Sequence, residues 1–269
     1  MLFNWEKFLE SVGEKDIENI VKYINDMNQT ISDKLFFIDK IDFDTIVDFG
    51  CADGELLSKI SKVKPTVNLI GYDLDKKMLK IADNKLQGKA VLTDNWSNVI
   101  KNLKGKTLLN LSSVIHEVYS YSHPKTVKYF WENQVFNMFD YISIRDMIPS
   151  TKMSSIELKD FKNDVNMVKE KINDYRIKSF EKIWGDLTVD YRTFIHFLLK
   201  YRYTDNWERE VRENYLPVSI ETLIKKIPTN YKIIYKDHFI LDYLKSIIKE
   251  DFNIDVKHNT HLKMIIKKL

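Results

Sequence analysis

Apolar positions in the first part of the chain come in short runs separated by longer, polar-faced segments. The runs are Thr45-Ile46-Val47-Asp48, Val67-Asn68-Leu69-Ile70-Gly71-Tyr72-Asp73, Ala90-Val91-Leu92 and Thr107-Leu108-Leu109-Asn110-Leu111. Short apolar strands alternating with helices predict a parallel sheet buried on both faces. A fifth strand fits Tyr141-Ile142-Ser143-Ile144, after a helix carrying Val127, Phe130, Trp131, Val135 and Met138 near helical spacing. Two further strands are read at Tyr231-Lys232-Ile233-Ile234-Tyr235 and His261-Leu262-Lys263-Met264-Ile265-Ile266, joined by a helix through Leu241, Leu244, Ile247 and Ile248. The expected fold is therefore α/β, with five parallel strands closed by a C-terminal antiparallel pair.

Two segments lie outside this pattern. Residues 1–40 read as an N-terminal helical cap, in which Ile17, Ile20, Val21, Ile24 and Met27 form one apolar stripe after an Asp16 cap. Residues 150–230 hold no strand pattern and mix aromatics with balanced charge, which predicts a helical insertion between strands five and six, lying over the strand ends as an acceptor-binding cap. The sheet domain is then assembled from residues 41–149 and 231–269.

Bulk properties narrow this picture only at the edges. The 269 residues can bury one large core with an insertion. No apolar run approaches the ~20 residues that span a bilayer, and the opening Met1-Leu2-Phe3-Asn4-Trp5-Glu6 lacks a signal-peptide layout, so a cytoplasmic protein without a membrane partner is expected. The single cysteine, Cys51, has no disulfide partner within the chain and cannot build a cysteine zinc cluster. A net charge of +3 leaves the choice between small-molecule and polyanionic partners open.

Glycine placement carries more. Five of the seven glycines fall within residues 50–105, where the chain must turn sharply. The first strand runs into Asp48-Phe49-Gly50-Cys51-Ala52-Asp53-Gly54: an acidic residue, a tight turn at Gly50, and Gly54 where a ligand can approach the start of the next helix. A dinucleotide fingerprint would need glycine at positions 50, 52 and 55, but Ala52 and Glu55 stand at the last two. The phosphate-loop pattern ending in Gly-Lys-Ser/Thr is also missing. At the end of the second strand Asp73, followed by Leu74, has two oxygens able to accept both hydroxyls of a ribose.

These residues resemble the class I (Rossmann-like) S-adenosylmethionine (SAM)-dependent methyltransferases, over roughly residues 44–145 and more weakly 231–269. In that family the first strand ends in Asp/Glu-x-Gly-x-Gly-x-Gly; Asp48, Gly50 and Gly54 match, and Ala52 replaces the middle glycine. The resemblance implies a seven-stranded Rossmann-like sheet and SAM as cofactor. It would place Asp48 near the methionine amino group, the Gly50–Gly54 backbone with Cys51 and Ala52 against methionine and ribose, Asp73 on the ribose, and Asp94, Asn95 and Trp96 around the adenine. Ser112, at the end of strand four, would also face the cofactor.

The fourth strand leads into Ser112-Ser113-Val114-Ile115-His116-Glu117-Val118-Tyr119-Ser120-Tyr121. The Asn/Asp/Ser-Pro-Pro-Tyr/Phe motif of many DNA base methyltransferases is missing, as is the Pro-Cys pair for attack on pyrimidine C5. His116 can take a proton from a hydroxyl or amine at neutral pH and stands as the candidate base with Glu117; the alternative is a helix cap or loop-orienting role for His116 and a solvent-facing Glu117. No metal site is assigned, since His116, Glu117 and His123 match no familiar ligand spacing. Arg145 could clamp an acceptor anion or pair with a neighbouring carboxylate. Tyr119, Tyr201 and Trp207 complete the acceptor candidates; Arg192, His196, Arg202 and Tyr203 lie near the last two and mix cations with rings able to stack bases, or to pack as core. The expected function is methyl transfer from SAM, leaving S-adenosylhomocysteine (SAH), to a small molecule or RNA; the alternative is a SAM-binding regulatory or scaffolding protein.

Overall fold

The computed structural model describes residues 31–269. The apolar stripe at Ile17–Met27 and its Asp16 cap lie outside the described residues. The chain enters through α1 (Ile31–Lys34) and alternates β1 (Thr45–Phe49), α2 (Glu55–Val63), β2 (Asn68–Tyr72), α3 (Lys76–Leu86), β3 (Ala90–Thr93), α4 (Trp96–Lys101) and β4 (Thr107–Ser112). Then come α5 (Ile115–Tyr121), α6 (Pro124–Tyr129), a π-helical turn over Phe130–Val135, and β5 (Tyr141–Met147). Between β5 and β6 (Tyr231–Phe239) the segment is helical: α7 (Lys162–Lys171), α8 (Tyr175–Trp184), α9 (Tyr191–Leu198), α10 (Trp207–Glu210) and α11 (Ile220–Ile224), with two short 3-10 turns. The chain closes with α12 (Asp242–Phe252) and β7 (His261–Lys268).

The seven strands form one sheet in the order β3-β2-β1-β4-β5-β7-β6. The first five are parallel, and β7 inserts antiparallel between β5 and β6. Strand order reverses between β1 and β4, so the connections leaving these neighbours diverge and open a crevice at their C-terminal ends.

Side-chain alternation explains both layers. Val47, Phe49, Leu109, Leu111, Ile142 and Ile144 bury one sheet face against Phe130, Trp131, Val135 and Phe139. Ile46, Leu69, Leu108 and Ile265 bury the other against Leu57, Ile60, Ala82 and Phe37. The segment between β5 and β6 has a third core of its own, in which Phe161, Phe180, Phe194, Phe197 and Trp207 pack with Leu244, Ile248 and Phe252 of α12.

The spacing of the helix before β5 drifts from helical for a physical reason. Phe130 and Val135, five apart, are both buried, and a π-helical turn brings residues i and i+5 together.

Candidate functional site

A cavity of about 870 Å³ opens at the crevice between β1 and β4. Its lining comes from the loop after β1, the ends of β2 and β3, the start of α5, the end of β5, and residues 199–215 of the helical segment.

At the loop end, Gly50 and Ala52 both hold left-handed backbone, with φ of 76° and 45°. The turn lets the Ala52 amide donate to Asp73 Oδ2 at 2.8 Å, while Asp73 Oδ1 accepts from the Asp75 amide at 2.9 Å. Each carboxylate oxygen keeps a further lone pair for a ligand hydroxyl. Burial pushes the Asp73 carboxyl up to about 6 despite these hydrogen bonds.

Asp48 is buried, and its Oδ1 accepts from Asn110 Nδ2 at 2.8 Å. Burial lifts its carboxyl to about 7, against the Asn110 hydrogen bond and the charge of Lys34. Ser112 Oγ is buried and, among the described residues, has no hydrogen-bond partner. Asn95 caps α4 through its side chain, Asp94 lies 3.6 Å from the Lys76 ammonium, and Trp96 stands edge-on to Tyr72 and Phe49.

At the helical end, the β4–α5 corner turns through Ser113 at φ 56°, a strained value for a non-glycine residue at the rim of a cavity. His116 follows, buried, with Nδ1 2.8 Å from Asp146 Oδ1 and Nε2 3.9 Å from Glu213 Oε2. Asp146 Oδ2 also accepts from the Ile115 amide at 2.7 Å, so strand β5 fixes both the helix start and the imidazole. Burial opposes the imidazolium, but the charge and hydrogen bond of Asp146, with Glu117 and Glu213 nearby, raise His116 to about 9. Asp146 is correspondingly held below the usual carboxylate range by His116, against its own burial. Glu117 lines the cavity and is 22 % exposed, so it does not simply face solvent. Burial and repulsion from Glu213 lift its carboxyl to about 7.

Most of the residues singled out from sequence meet here. Asp48, Gly50, Cys51, Ala52, Asp73, Leu74, Asp94, Asn95, Trp96, Ser112, His116, Glu117 and Arg145 all line the cavity. Gly54 does not. A Cβ there would lie 2.9 Å from Ala82 Cβ and 3.0 Å from Leu86 Cδ1, so packing of α2 on α3, together with a left-handed φ of 72°, calls for glycine at this position. Cys51 Sγ fills the space beside Gly71, where a Cβ would meet it at 2.8 Å.

Three acceptor candidates also lie off the cavity lining. Tyr119 accepts from Trp131 Nε1 at 3.1 Å. Tyr201 and Trp207 are buried in the helical core, the first donating to Asp251 and the second to Ser179 Oγ at 2.7 Å. Of the rings expected to stack bases, Tyr201 and Trp207 are therefore core, because residues 150–230 must bury a hydrophobic interior of their own, whereas Tyr203 is exposed and lines the cavity. Arg145 pairs with Asp33 at 2.9 Å and donates to Ser113 Oγ, which is the structural pairing of the two readings.

Sequence reasoning missed Lys34, Arg209, Glu210, Glu213 and Tyr215, which also line the cavity. It also gave Asp146 no role. A usable signal for Asp146 was its position at the end of the fifth strand, where open parallel sheets present functional residues.

No protein-family model matches the sequence, and no curated protein matches it either. Among solved structures, the chain is similar to the plantazolicin methyltransferase BamL in complex with a triazolic desmethylPZN analog and SAH. That likeness has a TM-score of 0.50 and 12% identity, and covers 94% of this chain and 91% of that one. It is also similar to the methyltransferase domain of bacterial-CtHen1-C, with a TM-score of 0.50, 12% identity, and 90% and 97% of the two chains covered. With its strand order and antiparallel terminal pair, the fold is that of the class I Rossmann-like SAM-dependent methyltransferases.

Proposed function

We propose that this protein is a SAM-dependent methyltransferase that holds its donor along the C-terminal ends of β1 to β3. The observation that carries the reading is the ordered set Asp48, Asp73 and Asp94 at three successive strand ends, opening into one cavity that continues to His116 and Glu117. The residues suit the cofactor. Asp48 is a buried carboxyl whose ionisation would be favoured by a ligand ammonium, Asp73 has lone pairs for two hydroxyls, and Ser112 Oγ has no partner among the described residues. Asp94, Asn95 and Trp96 would contact the adenine, and the Gly50–Ala52 backbone the methionine and ribose.

When bound, the cofactor supplies an electrophilic methyl group on a sulfonium that leaves as a neutral thioether. The protein's part is alignment and proton transfer. His116, raised to about 9, carries a proton at neutral pH and serves best as a fixed positive charge that orders Glu213 and Glu117. Glu117, raised to about 7, is the better proton acceptor there, since a base works best with a pKa near the operating pH.

The test is incubation of the protein with methyl-labelled SAM and separated pools of metabolites, protein, RNA and DNA. Label entering one pool, and lost in Glu117→Gln, is the expected result. Tight SAM binding with label in no pool would support a regulatory or scaffolding role instead.

A further inference from the structure

Two adjacent residues of α1, Asp33 and Lys34, meet the site in different ways. Asp33 reaches across to β5 and β7, where Arg145 and Lys263 are register partners. Like charges set directly opposite on neighbouring strands repel unless an anion joins them. Asp33 is that anion. Its Oδ2 accepts from Arg145 Nε at 3.0 Å and lies 2.9 Å from a terminal guanidinium nitrogen, while its Oδ1 pairs with the Lys263 ammonium. The side chains of Arg145 and Lys263 are 5 % and 15 % exposed, so the junction is largely withdrawn from water and little screened.

Lys34 lines the cavity and is within electrostatic reach of Asp48, each charge favouring the other. Among the described residues, the remaining cationic side chains of the lining are paired or placed elsewhere. Arg145 holds Asp33 and Ser113 Oγ, His116 is held by Asp146, and Arg209 by Glu213. Lys77 belongs to the first turn of α3, beyond Asp73. Burial, helped by the charge of Arg145, pushes the His261 imidazole down to about 3 and keeps it neutral.

Asp48 and Lys34 therefore set one negative and one positive charge at the same end of the cavity. The amino-acid end of SAM carries an ammonium and a carboxylate on one carbon. With the ammonium on Asp48, the carboxylate is repelled by that same acid and needs a cation beside it. Burial and the charge of Arg145 lower Lys34 from its ordinary value, and an arriving carboxylate favours its charged form.

The chain just past Lys34 is anchored. Phe37 is fully buried in the core with Ile46, Leu57 and Ile60. The Arg145 guanidinium that receives Asp33 also donates to Ser113 Oγ at 3.2 Å, which ties α1 to the left-handed corner leading to His116.

We infer that α1 is a strap across the amino-acid end of the donor, in which Lys34 receives the donor carboxylate and Asp33 is the latch that opens for donor exchange. This rests on the methyltransferase reading. Phe37 is the pivot. Opening leaves Arg145 and Lys263 opposite each other without their shared anion, and that repulsion favours reclosure.

The test is calorimetric titration with SAM and with decarboxylated SAM, which keeps the sulfonium and the ammonium and lacks the carboxylate. The parent protein is expected to bind SAM about tenfold or more tightly than the decarboxylated form. Lys34→Met should remove that preference while leaving the affinity for decarboxylated SAM unchanged, and Lys34→Arg should keep it. The latch is read from the rate at which excess unlabelled SAM displaces bound, methyl-labelled SAM. Asp33→Asn should raise that rate at least about fivefold, and Lys263→Met gives the same readout should the first variant fail to fold. A preference for SAM that survives Lys34→Met, or that the parent lacks, overturns the inference, as does a displacement rate unchanged in both latch variants. Failure of the parent to bind either compound would instead count against the methyltransferase reading.

Discussion

Replacing Asp48 with asparagine should make the protein more stable above neutral pH while costing it the donor. In the folded chain the carboxyl is raised from 3.8 to about 7, chiefly by burial. An acid raised in this way is protonated in the folded state and ionised in the unfolded state between those two values, so stability falls as pH climbs from about 4 to about 7 and is level beyond. A shift of roughly three units at 1.36 kcal/mol each amounts to about 4 kcal/mol, an upper bound because Lys34 can relax toward the charge. The asparagine of Asp48→Asn would carry no charge at any pH, and its carbonyl oxygen could still accept from Asn110 Nδ2, as Asp48 Oδ1 does at 2.8 Å. Denaturant unfolding of both proteins at about pH 5 and about pH 8 isolates the effect, since every other titrating group is shared and largely cancels. The expected result is a variant more stable by up to about 2 kcal/mol at the lower pH and by up to about 4 kcal/mol at the higher one, so that its advantage grows with pH, and SAH affinity at least tenfold weaker in the variant. A variant less stable than the parent at about pH 8, with SAH affinity unchanged, would refute the reasoning.

Two further outcomes follow from particular contacts. Asp146→Asn removes the largest charge that sustains the His116 imidazolium, so the His116 titration in NMR should move down from about 9, with burial then opposed only by the charges of Glu117 and Glu213. Breaking this buried pair should cost about 3–5 kcal/mol at neutral pH, a gap that narrows as pH rises through about 9 and His116 loses its proton. If the resonance stays near 9, Asp146 is not its cause. Gly54→Ala should destabilise more than Gly88→Ala, although both glycines are left-handed at φ 72° and 76°. Each substitution carries the ~1–2 kcal/mol of left-handed backbone, but only at 54 does the new Cβ meet α3, adding about 1–3 kcal/mol. Equal melting temperatures would show that the α2–α3 contact is looser than described.

The sheet was legible because its strands are short, apolar and separated by helices; β1 through β4 fall within a residue or two of their expected limits. The last three strands run longer than read. Lys236, Asp237 and His238 extend β6 opposite Met264, Lys263 and Leu262, since strand pairing continues where one face of an edge strand is solvated and polar. The loop end of the cavity was equally readable, as its residues follow one another at strand ends. The helical end was not. Arg209, Glu210 and Glu213 look like an ordinary charged helix surface in sequence, and only the contacts of α10 and the residues after it with α5 bring Arg209 to Glu117 from 92 residues away and Glu213 to Tyr121. The same packing hides Tyr201 and Trp207, whose aromatic character suggested exposed recognition.

The central claim is that the crevice between β1 and β4 holds SAM or its product. Isothermal titration of the purified protein with SAH tests it most directly. The account predicts saturable binding at one site per chain, weakened at least tenfold in Asp73→Ala through loss of the carboxylate that meets the Ala52 amide and faces the ribose position. Absence of binding, or binding that Asp73→Ala leaves untouched, would contradict it.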